Sequence, residues 1–576
     1  LTGRQSEPKG PKPNLTTTAL KEKESMIRES LWKFCANWKR TALAALAVLA
    51  LLSISFASSD HNEVTGVWVA GDFHQHTTYT DGNNSFRTVM YKAYQYGLDW
   101  WANSEHGGAF ATDARGPLAV NPPYDSNSGR LWSTYPAGTI WGDNSSSGKM
   151  WRWQSIRDFS FFDILQARAT LYKPIIQGVE WNVPGHEHCS VGIIANQFNY
   201  ETLNADPVAQ FEYLFDAGDS DINGGLAQGW TGKNTTNNHA KAVAAAAWLQ
   251  QHYANSSWMV PAHVERKGAG NPSYVGSGSY GYNISDFRDL NNAAPDVCFG
   301  FESMPGHQKE INRGGYAGNA AGGGTFGGAG YYSATIGGLW DALLGEGRHW
   351  WLFASSDFHN TANDFWPGEY QKTYTFVQDP NDPQAIVDGL RSGNSFVVEG
   401  DLIDGLDFQI GPSGIQGWRQ GTDDSATMGQ SLEVRRSAGN KQNIRIVLRF
   451  HSPKANNNGD GPQIDHIDLI SGSIGGMALP GTAAYSAATN PSTQVVETFF
   501  RKDFKKGQDG WYSLTCEMKL AGDAYFRLRG TNLPWNTSGQ TDARGNPLLD
   551  PLGNNSAAEA YKDLWFYSNP MFIYVK

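Results

Sequence analysis

The stretch "GDFHQHTTYTDG", Gly71–Gly82, ends an apolar run, "GVWVAGDF", and sets His74 and His76 two positions apart. Side chains alternate along a strand, so both imidazoles and Asp72 face one side. Two imidazoles buried side by side without a partner are costly, whereas one shared cation satisfies both. Asp81 and Gly82 follow as a turn into the next helix. A lone His-x-His also fits a plain core pair, so the weight falls on what the other strand ends carry.

Five more segments read as strands that end in polar residues: "LDWWANSEH", "PIIQGVEW", "WMVPAHVE", "DVCFGFES" and "HWWLFASSDFH". Helical stretches lie between them, among them "SFRTVMYKAYQYG", with Ser85 as N-cap and Gly97 as C-terminal stop, and "NHAKAVAAAAWLQQHYA". Strands and helices in alternation predict a parallel sheet with crossovers, which as a closed barrel gathers its chemistry at the carboxyl ends of the strands. Those ends hold His106 in "NSEH", Glu180 in "GVE", His263 in "VPAH", and Asp357 with His359 in "SSDFH"; His188 opens "HCSVGI". Structural histidines would scatter, and these do not. His186 alternates with His188 and fits the same face; His188, which begins the apolar strand, is preferred as a ligand, leaving His186 behind it or for substrate.

Three insertions are expected, near 107–160, 195–240 and 303–345. The third carries "RGGYAGNAAGGGTFGGAGYY", which lacks the context of a phosphate-binding loop and reads as a flexible lid. After residue 400 the runs become short, β-rich and broken by Gly, Asn and Pro, as in an antiparallel sandwich, with His466 expected to be half-exposed on a strand.

At 576 residues the chain exceeds what one core usually serves, and with 21 Trp, 24 Tyr and 28 Phe it has material for two. Residues 1–57 read as a leader. Lys33, Lys39 and Arg40 precede the apolar run "TALAALAVLALLSISFA", so 26–57 form an export signal beginning at Met26, and 1–25 a non-native start. The alternative is an uncleaved membrane anchor. The expected organisation is thus 1–57 leader, 58–400 barrel and 401–576 sandwich, in a periplasmic or secreted protein without stable membrane association after cleavage. The formal net charge of −11 becomes −16 once the nine Lys/Arg and four Asp/Glu of residues 1–57 are set aside, which excludes polymer phosphate backbones as partners. Cys35 falls in the leader; Cys189, Cys298 and Cys516 sit in apolar contexts and are expected as buried free thiols.

Taken in order, "DFHQHTTYTDG", "SEH", "GVE", "HCSVGI", "PAH" and "SSDFH" resemble the motifs of the polymerase-and-histidinol-phosphatase (PHP) superfamily of metal-dependent phosphoesterases, over roughly residues 64–400. The resemblance implies a distorted (β/α)7 barrel with long insertions and a cluster of two or three divalent ions. Its ligands would be His74, His76, Asp81, His106, Glu180, His188, His263, Asp357 and His359. Imidazoles with carboxylates suit zinc, manganese or iron better than magnesium or calcium. A metal-bridging hydroxide would then attack a small-molecule ester substrate. Arg266 and Lys267 are candidates for holding an anionic group, with a solvated turn as the alternative, and Glu302 and His307 in "FESMPGHQ" for a proton or a substrate contact.

The leading expectation is an exported hydrolase of phosphate esters. "DGLRSGNSFVVEGDLIDGLDFQI" and "FYSNPMFIYV" resemble the carbaryl-hydrolase branch of the superfamily, which implies carboxylic ester or carbamate cleavage as the alternative. A third reading, a metal-stapled protein whose sandwich binds carbohydrate or a surface, sits poorly with nine ligand positions, since a staple needs one closed ion.

Overall fold

The computed structural model describes residues 66–107, 136, 138, 141, 150–266, 281–316, 324–413, 424–435, 442–550, 552–554 and 556–576. Nearly all of these fall in one compact unit, Glu63–Tyr135 with Ile140–Lys576. The leader, most of the first insertion and Lys267 lie outside the described residues. Among the described residues no helix is long and apolar enough to cross a membrane.

Counting strands of four or more residues and helices of ten or more, the first half runs β1 (Val67–Asp72), α1 (Phe86–Gln95), β2 (Trp100–Asn103), α2 (Phe161–Leu171), β3 (Ile175–Trp181), β4 (Cys189–Ile193), α3 (Asp206–Phe215), α4 (His239–Tyr253), β5 (Ser257–Pro261), α5 (Ile284–Ala293), β6 (Gly300–Met304), β7 (Trp351–Ala354), β8 (Lys372–Val377), α6 (Pro383–Ser392) and β9 (Ser395–Val398). Local chemistry accounts for the helix ends. The Ser85 side chain accepts the Thr88 amide at the start of α1, and Gly97 follows its end at φ +79°, where an L side chain is disfavoured. In α4 the buried residues Ala242, Ala245, Ala246 and Leu249 recur at helical spacing and form the stripe that faces the core.

Strands β1, β2 and β3 are parallel neighbours, and so are β6 and β7. Single bridges, Ala262 to Glu302 and Gln75 to Phe358, join β5 to β6 and the chain after β7 to that after β1, so the succession β1 to β7 returns on itself. The parallel sheet predicted by alternating strands and helices is interrupted once. β4 is antiparallel to both β3 and β5, because the link of residues 182–188 is too short for a crossover. The sheet is therefore mixed, in an α/β fold. Trp100, Trp258 and Phe353 pack edge-on around Phe73 in the core, and the Trp100 indole covers Gly71 so closely that no Cβ fits there.

The second half contributes β10 (Gly405–Pro412), β11 (Ser431–Val434), β12 (Gln442–His451), β13 (His466–Ser473), β14 (Gln494–Phe500), β15 (Tyr512–Leu520), β16 (Ala524–Thr531), β17 (Trp565–Ser568) and β18 (Met571–Val575). Strands β10, β12 and β15 form a separate antiparallel sheet, whose Leu406, Phe408, Ile446 and Leu448 share a buried cluster with Phe396, Leu469, Phe526 and Ile573 of the large sheet. That large sheet passes without interruption from β1 through β8 and β9 to β17, so residues before and after 400 supply adjacent strands. Across the same junction Arg313, fully buried, reaches Glu399 at 3.0 Å and Asp563 at 2.9 Å.

Four expectations change. The 195–240 insertion carries α3, whose Phe211 packs edge-on against Trp181 of β3, so it is partly core. In the Gly-rich stretch, of which 317–323 lie outside the described residues, the amides of Gly327 and Gly328 donate to Asp550 at 2.9 and 2.8 Å, which pins these two glycines to the tail rather than leaving them as part of a lid. His466 is 1% exposed, because the rings of Phe500 and Trp535 and the turn at Gly545 pack against it. Cys189 and Cys298 are buried free thiols; Cys516 is free and half-buried.

Candidate metal centre

All nine expected ligand positions meet at one end of the ring. His74 and His76 follow β1, His106 follows β2, Glu180 lies in β3, His263 follows β5, and Asp357 and His359 follow β7. Each comes from the carboxyl end of its strand except His188, which precedes β4. The reversal of β4 brings its amino end to the same place.

Glu180, 1% exposed, is the centre. Its Oε1 lies 3.0 Å from His74 Nε2, 2.8 Å from His188 Nδ1 and 3.0 Å from His263 Nε2. Its Oε2 lies 3.0 Å from both His76 Nε2 and His106 Nε2. Asp357 adds Oδ1 at 3.2 Å from His74 Nε2 and 3.5 Å from His76 Nε2. Asp81 adds Oδ2 at 3.4 Å from His359 Nε2 and 3.7 Å from His106 Nε2. His74, His76 and Asp357 are 0–1% exposed, whereas Asp81 is 37%, His188 30% and His359 20%; that side is the way in.

The backbone aims these groups at some cost. His263, His307 and Asp357 all adopt positive φ, at 36°, 56° and 45°, a region that non-glycine residues enter only when their surroundings hold them there.

The outward nitrogens decide what the inward ones can do. His106 Nδ1 lies 3.0 Å from the Glu180 carbonyl oxygen, and His359 Nδ1 lies 2.8 Å from that of Asp357. A carbonyl only accepts, so in the neutral ring each Nδ1 carries the proton and each Nε2 turns a lone pair toward a carboxylate oxygen. His74 is held in the same way, with Nδ1 3.2 Å from Glu302 Oε2. Lone pairs facing carboxylates at 3.0–3.4 Å repel unless cations lie among them. Asp357 Oδ1, buried and without a hydrogen-bond partner, is a further donor of this kind. The donor set therefore fits divalent metal ions, with outer groups orienting the ligands as metal sites require.

Without metal the same charges must be met by protons. Burial opposes charge on His74 and His76, yet the surrounding carboxylates hold both imidazoles well above their usual range. Burial would raise Glu180 and Asp357, and the histidines instead keep both well below the usual carboxylate range.

Solved structures similar to this chain include a PHP-like protein. It is a two-domain protein from Bacteroides vulgatus containing a predicted PHP-like metal-dependent phosphoesterase, matched at a TM-score of 0.28 and 11% sequence identity over 86% of this chain and 98% of the other. No model of a known protein family matches the sequence, and no curated protein does. Similarity at this level leaves the chemistry to be read from the side chains themselves.

The remaining candidates divide. Arg266 Nη2 donates to Asp357 Oδ2 at 2.9 Å and Nε to the Gly314 carbonyl at 3.3 Å, which leaves Nη1 without a partner among the described residues. His307 Nε2 lies 3.2 Å from Asp357 Oδ2, and Nδ1 2.5 Å from Asp364 Oδ1. Burial opposes its charge, but Asp357 and Asp364 raise it to about 10. Glu302 is wholly buried behind His74, out of reach of any substrate. Burial raises its pKa, and its contact makes it a positioning residue rather than a proton donor. His186 points away from Glu180, toward His239.

One expectation fails and two contributors were not foreseen. Asp72 does not face the cluster; it accepts the His74 amide at 2.9 Å and the Ser356 amide at 3.2 Å, joining the two ligand-bearing segments, and burial pushes it up to about 7. Asp364 accepts the amides of His359 and Asn360 besides holding His307. Glu187 Oε1 lies 3.9 Å from both His188 and His263 Nδ1. Of these, Asp72 stood inside "GDFHQH" and Glu187 inside "HEHC", whereas Asp364 stood beside no quoted motif.

Proposed function

We propose that this chain is a metal-dependent hydrolase that cleaves phosphate esters of small organic molecules. One observation supports it above the rest: five imidazoles converge on the two oxygens of Glu180, and two of those rings have their outward nitrogens held by acceptors. Read with this function, the ring of seven strands is a distorted (β/α)7 barrel and the tail sheets are a sandwich packed on it.

Two or three divalent ions of the zinc, manganese or iron class, when bound among the nine ligands, would supply an activated water and polarise the phosphoryl group. The rest falls to the chain. The exposed rim of Asp81, His188 and His359 admits the ester, while buried His74, His76 and Asp357 close the floor. Arg266 Nη1 is placed to hold a non-bridging phosphoryl oxygen, because its other nitrogens are fixed on Asp357 and Gly314. His307, kept protonated by Asp357 and Asp364, meets the same Asp357 oxygen as Arg266 and adds a second positive charge to stabilise the departing alkoxide.

The export reading of residues 26–57 is part of this proposal: the acidic mature chain would act outside the cytoplasm on small substrates, with no nucleic acid partner. The deciding experiment compares p-nitrophenyl phosphate mono- and diesters with a p-nitrophenyl carboxylic ester, using protein loaded with manganese, zinc or iron. Phosphate-ester turnover lost in a His74→Ala/His76→Ala variant that has also lost metal supports the proposal. Turnover of the carboxylic ester alone, lost in the same way, would replace it with the carboxylic ester or carbamate reading.

A further inference from the structure

His186 takes part in a second arrangement. It lies in the link between β3 and β4, His239 is the first residue of α4, and Asp286 is the third of α5. His186 Nε2 stands 2.7 Å from His239 Nδ1, and Asp286 Oδ1 stands 3.6 Å from the same Nδ1.

The opposite nitrogen of each ring is engaged. His186 Nδ1 lies 3.1 Å from the Gly281 carbonyl oxygen, and His239 Nε2 lies 3.2 Å from Asp289 Oδ2. Both partners only accept, so in the neutral rings the protons sit on those outer nitrogens. The two inner nitrogens then face each other with lone pairs at 2.7 Å, which is repulsive without a cation beside them. Asp286 is divided in the same sense. Its Oδ2 accepts the Asn283 amide at 2.8 Å as part of the α5 cap, while Oδ1 turns toward the rings. Tyr282 stacks on His186 with ring centroids 4.6 Å apart and fixes its plane.

We propose that His186, His239 and Asp286 form a second metal site, distinct from the Glu180 centre, that binds one divalent ion of the zinc class. Tetrahedral zinc, with bonds of about 2.0–2.1 Å, spaces its ligand atoms roughly 3.3 Å apart, and the observed 2.7 and 3.6 Å separations bracket that value. Two imidazoles and one carboxylate make a known zinc donor set and a poor one for calcium or magnesium. The side chains of His186, Asp286 and His239 are 6%, 12% and 30% exposed, so a fourth position opens to water on the His239 side. An ion here ties the link that carries His188 to the first turns of α4 and α5.

The alternative is a shared proton, one ring being an imidazolium. Metal content decides between them. Wild-type protein, His239→Ala and Asp286→Asn, each also combined with His74→Ala/His76→Ala, are stripped with chelator, reloaded with zinc, freed of excess by gel filtration and assayed for zinc per chain. Asp286→Asn keeps an oxygen for the Asn283 amide, so helix α5 stays capped. Each variant is expected to lose one equivalent in both backgrounds. Cobalt loaded into the His74→Ala/His76→Ala protein should give visible tetrahedral absorption that His239→Ala abolishes. Unchanged zinc in His239→Ala and Asp286→Asn, in either background, overturns the proposal in favour of the shared proton. The readout is metal rather than turnover, so the outcome stands apart from whether the Glu180 centre hydrolyses esters.

Discussion

His106 meets Glu180 twice: its Nδ1 lies 3.0 Å from the backbone carbonyl oxygen of that residue and its Nε2 3.0 Å from the carboxylate. The first contact fixes the tautomer, and the second then places a lone pair against an anion. Glu180→Gln removes the charge that all five rings face, so it is expected to lower bound metal by at least one equivalent per chain. Hydrolysis should fall by more than the roughly 10–100-fold typical of an outer group, since this carboxylate lies inside the cluster. Metal analysis and turnover on the same preparation check it; retained metal and turnover would deny Glu180 its central place.

Glu302 touches His74 and nothing a substrate can reach. Glu302→Gln retains an oxygen for His74 Nδ1, and Glu302→Ala retains none. Metal affinity is expected to weaken about tenfold in the first and about 100-fold in the second. Activity should return in both at saturating metal, which distinguishes positioning from a direct part in the chemistry. A loss of kcat that excess metal does not restore would make Glu302 a catalytic group.

Metal should also govern stability. The unloaded protein buries carboxylates and imidazoles whose charges only protons can balance, and an ion that binds the folded chain alone stabilises it by mass action. At about 100 times its dissociation constant one such ion contributes roughly 2.7 kcal/mol. Chelator is therefore expected to lower Tm, and added zinc or manganese to raise it in a concentration-dependent way. His74→Ala/His76→Ala should flatten that dependence; an unchanged slope would place the stabilising ion elsewhere, with the His186 and His239 pair the nearest alternative.

What the sequence disclosed follows from how each feature is written into the chain. His74 with His76, and Asp357 with His359, are local pairs at strand ends, legible because alternation puts both members on one face. The caps at Ser85 and Gly97 are equally local. The reversal of β4 was hidden because its strand is buried on both faces, and a fully buried strand carries no mark of direction. The antiparallel pairing is instead set by the length of the link 182–188, which reads as an ordinary loop. Asp364 and Asp72 were misjudged or missed for another reason: besides amides two to five residues away, each holds a group that only the folded chain brings near, His307 for Asp364 and the Ser356 amide for Asp72. Arg313 stands 86 residues from Glu399 and 250 from Asp563, so nothing local announces that network.

Arg313 brings one positive charge to three buried carboxyl groups, Glu399, Asp563 and Asp550, and the excess of acid has a consequence for pH. Burial raises Glu399 to about 8, Arg313 opposing and the two aspartates adding to the rise. A carboxyl raised in the folded state holds a proton that the unfolded chain releases near pH 4.5. Its contribution is complete below that value and is lost as pH rises through about 8. Glu399→Gln keeps an acceptor for Arg313 and carries no titrating proton. The variant should match wild type near pH 5 and exceed it at pH 9 by at least about 1 kcal/mol, as the linkage of one raised group requires. Urea unfolding midpoints of the two proteins across that range provide the measurement. A stability difference that does not change with pH would mean that Glu399 is ionised throughout, with Arg313 neutralising it alone.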